Sequence, residues 1–122
     1  MSEEDLTARL RQDLTTASRE RDRDAVRVLR TVLSAIANAE AQPDVDGRPT
    51  SLRSEGAIAG AASGLGAAEV PRRELDAHDV RAIVEAERAE RLASADDLAG
   101  RGAAGAADGL RAEAALLERY LV

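Results

Sequence analysis

Leu6, Leu10 and Leu14 recur at a spacing of four, the repeat of one face of an α-helix. Ser2 with Asp5 three places later supplies a helix start of capping-box type, so a first helix is expected to run to about Ser18 or beyond. The run at 19–24, Arg-Glu-Arg-Asp-Arg-Asp, is too polar to be buried and marks a turn, with Asp22 or Asp24 as the cap of a second helix. That helix, about 25–41, carries Val26, Val28, Leu29, Val32, Leu33, Ile36 and Ala39. An apolar arc so wide touches neighbours on two sides and predicts the most buried element of the fold. Pro43, Gly47 and Pro49 then end the helix, and 43–55 reads as an exposed loop.

Gly56, Gly60 and Gly64 recur every four residues in the Gly/Ala-rich stretch 56–68. This spacing suits a helix with a smooth face on which another backbone can lie, and equally a mobile connector, because each glycine weakens a helix in water by about 1 kcal/mol relative to Ala. The next start signal is clear. Asp76 and Asp79 have capping-box spacing, with Leu75 and Val80 at the two positions of a hydrophobic staple. The third helix is expected over about 77–98, with Val80, Ile83, Val84, Ala86 and Leu92 inward; Gly100 and Gly102 break it. Gly105 and Gly109 weaken the segment beyond that break, and a last helix carries Leu110, Ala114, Leu117 and Leu121 on one face. The pattern predicts an all-α fold, a compact antiparallel bundle of about four helices in one domain over 1–122, with loop and Gly/Ala-rich connector at 42–70.

Composition narrows the chemistry. Of the 122 residues, 27 are Ala; there is no Phe or Trp and one Tyr, so the core must be thin and aliphatic. Leu117, Tyr120 and Leu121 are expected to be buried against the second helix, since Tyr120 is the largest side chain available to close such a core. Cysteine is absent, and all 17 basic residues are Arg. These two facts exclude disulfides, thiolate metal sites, cysteine nucleophiles, Schiff bases and a P-loop lysine. The formal net charge of −6 disfavours a broad footprint on nucleic acid or anionic membrane but leaves room for a local patch. No run is long and apolar enough to span a bilayer, and the acidic start has no leader-like core, so a soluble cytoplasmic protein is expected.

Few residues stand out as candidates. His78, the only histidine, is flanked by Asp79 and two places from Asp76, a first-turn position that reads as exposed rather than metal-binding. Asn38 and Glu40 fall near the end of the second helix, where Asn38 orients a partner or closes a turn. Arg19, Arg21, Arg23, Arg27 and Arg30 form the densest basic stretch. Glu20, Asp22 and Asp24 interleave with them, and local pairing, as between Asp24 and Arg27, competes with phosphate contact by Arg19, Arg23, Arg27 and Arg30. No catalytic, cofactor or metal set is recognisable.

The segment 26–40, VRVLRTVLSAIANAE, resembles the second helix of the GatB/YqeY-domain family. ELDAHDVRAIVEAERAER, followed by AGR and LRAEAALLERYL, resembles the rest of that domain in order; 56–70 is similar to an insertion in short, high-GC members. The resemblance covers about 6–121 and implies a YqeY-like bacterial module corresponding to the first domain alone, without the second helical domain of longer relatives. It implies kinship with the B subunit of glutamine-dependent tRNA amidotransferase, association with carbon–nitrogen ligation using glutamine as amide donor, and tRNA or amidotransferase subunits as partners. The chain has no residues for releasing ammonia or activating a carboxyl, so the implied role is accessory and non-catalytic. The competing expectation is an acidic protein–protein interaction module with no nucleic-acid role.

Overall fold

The computed structural model describes residues 3–42 and 74–122. Four helices account for most of them: α1 (Glu3–Arg19), α2 (Arg23–Ala41), α3 (Ala77–Gly100) and α4 (Ala104–Glu118), with no strand among the described residues. The contacts divide the chain into two units, Met1–Ile36 with Leu75–Val122, and Ala37–Glu74. Of the second, the end of α2 is described, with Asn38 exposed and Glu40 half-buried. The expected loop at 43–55, the Gly/Ala stretch at 56–68 and the Ser2 cap lie outside the described residues.

In the first unit the fold is the expected all-α bundle. α3 packs along α4, and α1 packs on α3. The ion pairs Arg88–Glu118, Arg91–Glu113 and Arg111–Asp96 join positions that rise along α3 as they fall along α4, so these two helices are antiparallel. The core is aliphatic: Leu6 and Leu10 of α1, Val28, Leu29, Val32 and Ile36 of α2, Val80 and Val84 of α3, and Leu117 of α4 are buried. Ala17, Ala25, Ala95, Ala107 and Ala114 are buried with them.

The helix boundaries reflect local chemistry. Asp22 accepts a hydrogen bond from the Ala25 amide at 3.1 Å and so is the cap of α2; Asp24 lies inside the first turn. At α3 the full capping box is present: Asp76 accepts from the Asp79 amide at 2.8 Å and Asp79 accepts from the Asp76 amide at 3.0 Å, with Leu75 and Val80 both buried. Three expectations need correction. Ala86 is exposed rather than inward, since one methyl group gives little reason for either face. Gly105 and Gly109 lie within α4, where burial of Ala107, Ala114 and Leu117 outweighs their poor propensity. Leu117 and Tyr120 are buried as expected, but Leu121 is only half-buried, because it lies past the end of α4; the Tyr120 hydroxyl donates to Asp13 of α1 and Arg9 of α1 covers its ring at 4.8 Å.

Candidate functional site

The turn between α1 and α2 gathers arginines. α1 ends in a Schellman motif: the Asp22 amide donates to the Ala17 carbonyl at 2.9 Å and the Arg21 amide to the Ser18 carbonyl at 3.2 Å. The motif requires a left-handed residue just past the helix, and Arg21 takes that position with φ 59°. Glycine is the usual occupant, because a side chain there crowds the next carbonyl at a cost of about 1–2 kcal/mol. Asp22 then caps α2, which places Arg23, Arg27 and Arg30 on its outer surface close to Arg21.

Together these residues line an open groove of about 690 Å³ formed by Ser18, Arg21, Arg23, Val26, Arg27, Arg30 and Thr31. Four guanidinium groups and no carboxylate stand in that lining. Among the described residues Arg21, Arg23 and Arg30 have no ion-pair partner. Arg27 does: its Nη2 donates to Glu113 of α4 at 2.7 Å and lies 3.2 Å from Asp24. The hydrogen bond and charge of Glu113, with a smaller contribution from Asp24, hold Arg27 above its ordinary pKa, so its charge is permanent. The structure therefore brings together Arg23, Arg27 and Arg30 of the expected patch and adds Arg21. Arg19 lies outside the lining.

Glu113 is also bound from the other side. Arg91 of α3 donates through Nε to Glu113 at 3.0 Å and through Nη1 to Glu87 at 2.8 Å. Burial is the largest influence on Arg91 and pulls its pKa down; the bonds and charges of Glu87 and Glu113 together outweigh it and leave the value raised. The expected Asp24–Arg27 pair is present, whereas the link from Arg27 across 86 residues to Glu113 has no local signal in the sequence.

A second groove, of about 670 Å³, lies between α1, α2 and α4 and is floored by Ala17, Ala25, Leu29, Ala112, Ala115 and Leu116. Its rim mixes Arg9 and Arg119 with Asp13, Glu20 and Asp22, so neither charge prevails. Several of these groups are already engaged: Asp13 by Tyr120, Asp22 by the α2 amide, and Arg9 by the Tyr120 ring. His78 is exposed, and among the described residues no group of His, Asp and Glu is placed to hold a metal. No described helix is long and apolar enough to cross a membrane. No family model, curated protein or solved structure matches the chain.

Proposed function

We propose that the chain is a non-catalytic helical module of GatB/YqeY type, accessory to glutamine-dependent tRNA amidation, that contacts tRNA phosphates through the groove at the α1–α2 turn. The observation that carries this reading is Arg21: a side chain held in a left-handed position that glycine fills at less cost, standing beside Arg23, Arg27 and Arg30. Strained backbone positions cluster at functional sites, so a non-glycine residue here directs attention to the side chain it presents. Guanidinium groups suit phosphate because they donate in pairs and remain charged at any physiological pH. A confined patch on a chain of net charge −6 favours weak, local contact over a broad footprint. This reading implies a cytoplasmic location.

The test is tRNA binding by fluorescence anisotropy at low salt. Reversing Arg23 and Arg30 to Glu should weaken binding more than about tenfold without loss of helicity, and four phosphate contacts give a slope of roughly −3 in log K against log salt. Unchanged affinity in the reversed variant would overturn the assignment of the groove. The second reading, an acidic protein–protein interaction module, has one observation in its favour: the alanine floor of the groove between α1, α2 and α4 allows close approach of another backbone. Absence of tRNA binding at low salt, with retention of a protein on the immobilised chain that is lost on Ala115→Arg, would favour it.

A further inference from the structure

Arg27 belongs to two arrangements at once. It lines the arginine groove, and its Nη2 is held by Glu113. The two partners differ in setting: the Arg27 side chain is 59% exposed and Glu113 14%. Glu113 has a second cation, because its other carboxylate oxygen accepts from Arg91, which is 12% exposed and anchored in turn by Glu87. A half-buried carboxylate deprived of its only cation is unfavourable; one that keeps Arg91 is not. Departure of Arg27 therefore leaves no uncompensated charge behind.

We propose that Glu113 is a built-in competitor for the groove: its carboxylate occupies Arg27 in the free protein and is displaced by a phosphate of the bound polyanion, while Arg91 retains Glu113 in place. The inference rests on the reading of the groove as a phosphate site. It makes the affinity of that site depend on a residue of α4 and a residue of α3 that do not line it. Asp24 is a poorer competitor, being 80% exposed and 3.2 Å from Arg27, where water screens the pair.

Two variants with opposite expected signs test it. Glu113→Gln removes the competing charge and should tighten tRNA binding by a factor of about two to five, the range of an exposed ion pair. Arg91→Gln leaves Arg27 as the only cation facing Glu113 and should weaken binding by a similar factor. The double variant should bind like Glu113→Gln, since Arg91 acts only through Glu113. A direct readout on the unaltered chain guards against variants that do not fold: on titration with inorganic pyrophosphate, the Arg27 Nε–H signal in nuclear magnetic resonance should shift while that of Arg91 holds. Binding that depends on Arg23 and Arg30 but is indifferent to Glu113 and Arg91, or an Arg27 signal that does not respond, overturns the competitor and leaves the groove. A parent chain that binds neither probe removes both.

Discussion

The turns after α1 and after α3 are built on the same hydrogen bonds and filled differently. After α3, the Ala103 amide donates to the Leu98 carbonyl at 2.9 Å and the Gly102 amide to the Ala99 carbonyl at 3.1 Å; after α1, Asp22 and Arg21 make the equivalent bonds to Ala17 and Ser18. The left-handed residue is Gly102 in one, with φ 85°, and Arg21 in the other, with φ 59°. Where only a chain reversal is needed, the residue with the least conformational cost stands in the turn. The other accepts that cost and presents a guanidinium group to a groove of like charge. The contrast extends to the helices on either side: α3 and α4 are joined by cross-helix ion pairs, while the charges around the α1–α2 turn are left largely unpaired.

The largest expected effect comes from releasing α1. Tyr120 lies just past α4, is buried, and ties itself to Asp13 and Arg9 of α1. Truncation to Ala should cost about 3–5 kcal/mol by denaturant unfolding. Hydrogen exchange should show α1 and its turn losing protection before the α3–α4 hairpin. Equal loss in both halves would erase the proposed difference between them.

Exchanging the two left-handed residues comes next. Gly102→Ala should destabilise by about 1–2 kcal/mol, and since an added Cβ meets nothing within 4 Å, the whole cost is conformational. Arg21→Gly should do the reverse, raising stability by about 1 kcal/mol while weakening tRNA binding. A gain in stability without loss of binding would leave Arg21 as strain with no use in binding.

The sequence revealed the helices better than the site. Leucines at a spacing of four in α1, the wide apolar arc of α2 and the Asp76–Asp79 box are local patterns, and local patterns are set by the geometry of one helix. The break at 100–102 is equally legible because glycine marks it. The turn at 19–24 carries no glycine, so nothing in it announces a left-handed residue, and Arg21 stood out only as one cation among five. The partnership of Arg27 with Glu113 depends on how α2 meets α4, which no spacing within either helix encodes. Tyr120 shows the same limit: its burial was legible in the composition, whereas its bond to Asp13, 107 residues away, came from packing.

Smaller effects depend on pH. Asp76 is held below its ordinary value of 3.8, first by the backbone amide of Asp79. The stability it contributes to the α3 end is present above that value and is lost as pH falls through the lowered folded-state pKa. Tyr120 is shifted the other way: burial first, then the bond to Asp13 and its charge, raise it above 10.0. Its contribution is complete below pH 10 and is lost as pH rises beyond it, because the unfolded chain ionises first. Thermal midpoints should therefore decline at both extremes, and Tyr120→Phe should flatten the alkaline limb alone. An alkaline decline that survives Tyr120→Phe would assign it to another group.

The least effect concerns Thr7, which tests whether every unfavourable feature on the α1 side has a use. Its hydroxyl is buried on α1 beside Leu6, with no hydrogen-bond partner among the described residues. A buried hydroxyl without a partner has given up its bond to water and gained nothing in return. Valine has almost the same shape without the polar atom, at the cost of slightly lower χ1 freedom in a helix. Thr7→Val should leave the midpoint of denaturant unfolding unchanged or raise stability by up to about 1 kcal/mol, with tRNA affinity unaltered. A loss of stability would mean that the hydroxyl has a partner in solution. A loss of binding would extend the proposed contact surface from the α1–α2 turn along α1.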